Sequence, residues 1–155
     1  MKESELFRAS LNRAMALCAG REYSPVEIMN KLNSWGIDVQ EGAAIIGLLK
    51  KDNFINEERY ALAFVRDKFR YNKWGKLKIS AQLKAKGIPG ETVNKALNTI
   101  DNETYKKQLG NLLAAHRRSV KAKNDYDLKA KLLRYGLSKG FESTLLYDLL
   151  NETRD

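Results

Sequence analysis

Apolar positions in this chain form one pattern that occurs three times. Ile28 and Leu32 lead to Gly36-Ile37, Ile79 and Leu83 to Gly87-Ile88, and Leu128 and Leu132 to Gly136-Leu137, at the same spacing each time. Further along, Ile46, Leu97 and Leu146 correspond, as do Leu49, Ile100 and Leu149. Apolar residues four apart stack on one helix face. A glycine closing that face suits the left-handed position that ends a helix, and the next apolar residue can fold back onto the last turn. A second helix follows, and a longer amphipathic segment precedes each pattern, so every repeat reads as three helices. The predicted architecture is all-α, with three tandem three-helix repeats over residues 1–55, 56–102 and 103–155. A unit of this size buries little core alone, so packing between neighbouring repeats is expected to matter.

The leading helices carry the clearest two-sided pattern. In repeat 1, Phe7, Leu11, Ala14, Met15 and Cys18 supply the inner face. Ser24-Pro25-Val26-Glu27 then reads as a capping box with proline at the first helical position. The leading helix of repeat 2 starts after Asn56, whose side chain can cap it, and runs to about Asn72; Glu57 and Glu58 suit the positive end of its dipole. Tyr60, Ala61, Phe64, Val65 and the stem of Lys68 share one side of that helix, and Arg59, Arg66, Arg70 and Lys73 the other. Its apolar face is expected to join repeat 1 to repeat 2. In repeat 3, Tyr105, Leu109, Leu112, Leu113, His116 and Val120 make the apolar stripe, and Asn124 or Asp125 caps the next helix.

Composition agrees with a folded helical protein: of 155 residues 43% are hydrophobic and 30% charged, and only 2 are proline. Lys and Arg number 28 against 19 Asp and Glu, a net charge of +9 that favours a polyanionic partner and salt-sensitive binding. The excess is concentrated. Arg59, Arg66, Arg70, Lys73, Lys76, Lys78, Lys84 and Lys86 lie in repeat 2, and Arg117, Arg118 and Lys121 flank the stripe of repeat 3. These eleven residues are the candidate binding set, set against the alternative that they only solvate exposed helix faces. Tyr71 and Trp74 sit among them, as stacking platforms for single-stranded nucleic acid would, though Trp74 also reads as a core residue beneath its turn.

Catalytic chemistry is hard to place. One cysteine excludes an intrachain disulfide and a cysteine-cluster metal site, and one histidine, on an apolar stripe, excludes a histidine cluster. Leu77 follows Gly75-Lys76, and Arg70 stands where a phosphate-binding loop needs its first glycine. Neither a cofactor nor a metal is expected. No signal peptide or membrane-length apolar run is visible, and the chain reads as cytoplasmic, with no membrane partner.

Three stretches in sequence resemble the successive motifs of the RecX family of regulatory proteins. They are Arg21-Glu22-Tyr23-Ser24 with Glu27 and Lys31-Leu32; Asn56-Glu57-Glu58-Arg59-Tyr60-Ala61 with Phe64-Val65-Arg66; and Trp74-Gly75 with Lys78-Ile79, Leu83 and Lys86-Gly87-Ile88. The match is strong over about residues 10–100 and continues through the repeat pattern. Asn56 stands where an aspartate is usual, and Trp74 where a basic residue is common. The resemblance implies an elongated, curved array of three-helix repeats without catalytic residues. It implies a bacterial modulator that lies in the groove of the RecA–DNA filament and impedes its growth or promotes its disassembly. A monomer is expected, with single-stranded or duplex DNA as a further candidate partner. The competing reading is a general nucleic-acid-binding helical module with no recombinase partner. A third, an enzyme using a carboxylate and a lysine in a cleft between repeats, has no support in the spacing.

Overall fold

The computed structural model describes residues 4–152, and these form nine helices and no strands. They are α1 (Glu5–Gly20), α2 (Pro25–Ser34), α3 (Val39–Lys51), α4 (Glu57–Arg70), α5 (Lys76–Ala85), α6 (Gly90–Leu97), α7 (Asn102–Ser119), α8 (Asp125–Ser138) and α9 (Ser143–Glu152). The all-α prediction holds, as does the order of three helices three times over. Among the described residues, no helix is long and apolar enough to cross a membrane.

The helices gather into two compact units. Residues 1–63 with 83–93 make the first, and residues 64–82 with 94–155 the second, so α4, α5 and α6 each contribute to both. In the first unit, α1, α2 and α3 pack around Phe7, Ala14, Ile28, Leu32, Ile45 and Leu49, with Leu11, Met15 and Cys18 partly buried against them. That is the inner face the sequence predicts for α1. Burial, then the nearby Glu22 charge, holds the Cys18 thiol above its ordinary pKa, as suits a packing residue rather than a nucleophile. In the second unit, α7, α8 and α9 enclose Tyr105, Leu109, Leu113, Leu132, Phe141 and Leu146. His116 belongs to this packing and stacks on Tyr135 at 3.7 Å between centroids.

Helix starts follow their sequence signals. Ser24 Oγ accepts from the Glu27 N–H at 3.1 Å, and Glu27 Oε1 accepts from the Ser24 N–H at 2.9 Å, which completes the capping box. Asn56 caps α4 through the Arg59 N–H at 2.9 Å, and Asn124 caps α8 through the Asp127 N–H at 2.8 Å.

Helix ends bring one correction. Gly36 and Gly87 adopt φ of +94° and +82°, and the N–H groups of Ile37 and Ile88 reach back to the carbonyls of Leu32 and Leu83 at 3.0 and 3.1 Å. The third glycine of this kind is Gly140, not the predicted Gly136. Gly140 has φ +94°, and the Phe141 N–H donates to the Gly136 carbonyl at 3.1 Å. The reason lies in what the next apolar residue buries: Phe141 is fully buried, whereas Leu137 is 44% exposed. Helix α8 therefore runs one turn further, and Gly136 lies inside it, where a Cβ would strike the Leu146 side chain. Leu32, Leu83 and Gly136 are the true equivalents, and the partner of Ile46 and Leu97 is Leu150 instead of Leu146. All three are buried.

Candidate binding surface

The eleven cations predicted from sequence fall in both units and differ in what each one touches. In the first unit, Arg59 is engaged: its Nε donates to Glu22 Oε2 at 2.6 Å, and its Nη2 donates to the carbonyls of Asn53 and Phe54 at 3.1 and 3.3 Å. It therefore holds the start of α4 against the α1–α2 connection. Lys86 is also committed, to Glu27 at 3.3 Å. Burial alone would raise the Glu27 carboxyl, but the Ser24 N–H, the Lys86 bond and the Lys86 and Arg21 charges outweigh it and hold the group below the usual carboxylate range. Lys84 is exposed on α5.

In the second unit, Arg66 and Arg70 line one cleft of about 370 Å³, together with Phe69, Asp101, Thr104 and Gln108. The Gln108 amide donates to the Phe69 carbonyl and ties α7 to the last turn of α4. Arg66 pairs with its neighbour Asp67 at 3.5 Å, with both side chains more than half exposed, a pair worth little. Asp101 is the N-cap of α7: the backbone N–H and hydroxyl of Thr104 bond it and hold its carboxyl low. The cleft thus offers two arginines and one fixed carboxylate beside an aromatic wall. Mixed charge of this kind suits a protein surface better than a bare polyanion.

Lys73, Lys76 and Lys78 lie around the turn that follows α4. Lys73 has φ +60° and returns its ammonium to the Arg70 carbonyl at 2.9 Å. Lys76 sits over Tyr105 at 4.8 Å from the centroid, and its N–H donates to the Tyr105 hydroxyl at 2.9 Å, which in turn donates to Glu142. Burial and then that carboxylate push the Tyr105 phenol well above its ordinary pKa. Lys78 lies over Trp74 at 4.7 Å, and Lys68, outside the predicted set, lies over the same ring at 5.0 Å. Trp74 is half-buried and meets Phe64 edge-on at 6.5 Å between centroids, so its ring is a packing element covered by cations rather than an open platform for a base. Tyr71, by contrast, is 72% exposed.

Arg117 and Arg118 border a separate groove of about 400 Å³ floored by Leu113, Leu132 and Leu149. Lys121 is exposed just beyond α7, and its carbonyl accepts from Lys131 at 2.6 Å. Sequence reasoning also passed over Lys139. It enters the Trp74 region because two loops touch at glycines: the Gly75 N–H donates to the Lys139 carbonyl at 2.7 Å, and the Leu77 N–H to the Gly140 carbonyl at 3.0 Å. Glycines in two distant loops were the only sequence signal available. Among the described residues, no group of three or more His, Cys, Asp or Glu could hold a metal ion.

A family model described as RecX, second three-helix domain, matches residues 56–97. A protein of Clostridium botulinum named Regulatory protein RecX is 32% identical over 131 residues, covering 81% of this chain and 59% of the relative. One of Clostridium beijerinckii with the same name is 29% identical over 154 residues, covering 98% of this chain and 71% of the relative. The chain thus spans 59% of the length of that Clostridium botulinum relative. Among solved structures, RecX from Lactobacillus salivarius superposes with a TM-score of 0.81 at 23% identity, covering 96% of both chains. A second structure of a regulatory protein RecX gives a TM-score of 0.87 at 19% identity, covering 96% of this chain and 74% of that one. At these identities the two structures speak to the fold.

Proposed function

This chain belongs to the RecX family of regulatory proteins, and from that premise we propose that it modulates the RecA recombinase without catalysing a reaction itself. It binds the RecA–DNA filament as a monomer and impedes filament growth or promotes disassembly. The observation that carries this reading is the cleft in which Arg66 and Arg70 stand beside Asp101. Both arginines lie in or next to the stretch that carries the family resemblance, and among the described residues neither pairs with a carboxylate distant in sequence. Each contact of an exposed arginine is weak. Several on one folded scaffold act together, because forming one raises the effective concentration of the others.

The alternative, a nucleic-acid-binding module with no recombinase partner, draws on the net charge of +9. Binding to preformed RecA filaments and to bare single strands at matched salt separates the two. The filament reading expects tighter binding to filaments, weakened by an Arg66→Glu/Arg70→Glu variant of unchanged helicity. Equal affinity for filaments and bare strands, unaffected by that variant, would remove both the partner and the cleft from the account.

A further inference from the structure

In the second unit, Leu113 of α7, Leu132 of α8 and Leu149 of α9 floor a groove of about 400 Å³, and Arg117 and Arg118 stand at its border. Both arginines are exposed, and none of the residues lining the groove is acidic. It differs in this from the Arg66–Arg70 cleft, where Asp101 makes the charge mixed. Gly110 lies on the same wall, seven residues before Arg117. It sits inside the 18-residue α7, where glycine is a poorer choice than alanine, yet a Cβ on it would meet nothing within 4 Å. Gly136, by contrast, is bare because Leu146 fills the space above it. Packing within this chain therefore does not call for a bare backbone at Gly110. A second helix drawn close from outside does, since the distance between packed helices is set by the side chains at their contact. Gly110, Ala114 and Arg117 fall on one stripe of α7, so the open wall runs for about two helical turns, or roughly 10 Å.

We propose that this groove docks an acidic amphipathic helix of a partner protein. The incoming helix lays its apolar stripe on the leucines, crosses α7 at Gly110 and Ala114, and turns carboxylates toward Arg117 and Arg118. An apolar floor with a basic border is complementary to a segment that is both apolar and acidic. A bare polyanion would satisfy the arginines and leave the leucines uncovered. A second copy of this chain fits worse. Helix α7 carries Lys106, Lys107, Arg117 and Arg118 against Glu103 alone, and a symmetric pairing would set that face against itself. The inference goes beyond the filament reading, because the groove shares no lining residue with the Arg66–Arg70 cleft and takes a partner other than the filament.

The test uses the full chain and a fluorescein-labelled peptide of about 16 residues, with leucines at helical spacing along one stripe and glutamates beside them. A peptide of the same composition with its leucines scattered off the stripe reports charge alone. Fluorescence anisotropy gives the affinity of the parent, of Gly110→Leu, of Arg117→Gln/Arg118→Gln and of Lys106→Gln/Lys107→Gln, which removes equal charge from the same helix. Gly110→Leu fills the groove without removing a contact of the fold, so its thermal midpoint should not fall. The parent is expected to bind the striped peptide at least about tenfold more tightly than the scattered one, and Gly110→Leu and the arginine variant should each lose at least about tenfold. The lysine variant should lose no more than about twofold. No binding, equal binding of the two peptides, or equal losses in the arginine and lysine variants with Gly110→Leu unaffected would overturn the site. Dimerisation of the parent that Gly110→Leu abolishes, without peptide binding, would overturn it in favour of a second copy. Tighter binding of a labelled oligothymidylate than of the striped peptide, lost in Gly110→Leu, would overturn it in favour of a nucleic acid. RecA-catalysed ATP hydrolysis is measured in parallel. Peptide affinity lost in Gly110→Leu with RecA inhibition retained upholds a partner other than the filament, whereas loss of both overturns that partner and gives the groove to the filament. Failure of the parent itself to inhibit RecA counts against the filament reading alone, and the peptide result still decides the groove.

Discussion

Ser24 is fully buried, and its hydroxyl and N–H close the first turn of α2 against Glu27. Ser24→Ala removes that cap and is expected to cost about 1 kcal/mol, read as a lower urea midpoint at unchanged slope. Glu27 adds a pH dependence. Its folded-state pKa is depressed, so its contribution is present above the ordinary glutamate pKa and fades as pH falls through the folded value. Urea titrations across that acid limb should show a shallower fall for Glu27→Gln than for the parent. Arg59 and Arg66 separate in the same way by what they touch. Arg59→Ala breaks a guanidinium bond to Glu22 and two to backbone carbonyls, an expected loss of about 1 kcal/mol. Arg66→Ala should stay within about 0.5 kcal/mol, since its pair with Asp67 is exposed. Sequence periodicity put both arginines on one basic face and could not separate them. Period reports direction around a helix, whereas Glu22 reaches Arg59 only through the fold.

At the scale of the helix, glycine is where local pattern and tertiary packing diverge. Gly36 and Gly87 were legible because spacing and the following isoleucine agree. Gly136 and Gly140 are one turn apart, and each is followed by an apolar residue, so the choice rests on burial of Phe141, which no local rule contains. Two substitutions inside helices test this assignment. Gly47→Ala adds a methyl that meets nothing within 4 Å and should stabilise α3 by about 0.5–1 kcal/mol. Gly136→Ala gains the same propensity yet drives a methyl into the buried Leu146, with an expected net loss of about 1–2 kcal/mol. Equal stabilisation by the two changes, in thermal or urea unfolding, would return Gly136 to an uncrowded site. The Gly75–Gly140 approach is the other feature hidden from the sequence, and it brings Lys139 beside Lys78.

For the whole molecule, the repeat period gave the all-helical class and the order of the elements, because the hydrophobic period and the cap residues agree over most of the chain. The binding set was legible only as a charge excess. The fold divides it: Arg59 and Lys86 are tied to carboxylates in the first unit, Arg66 and Arg70 line a mixed cleft, and Lys78 joins two lysines that were not in the set. Charge concentration along a sequence does not reveal which cations are already paired. The proposed regulatory role requires that Arg66 and Arg70 meet a RecA filament. The most direct measurement is RecA-catalysed ATP hydrolysis on single-stranded DNA, titrated with the parent chain and with Arg66→Glu/Arg70→Glu. The account predicts that the parent lowers hydrolysis in a dose-dependent way, and that the folded variant needs at least about tenfold more protein for the same effect. Hydrolysis unchanged by the parent at every concentration would contradict it.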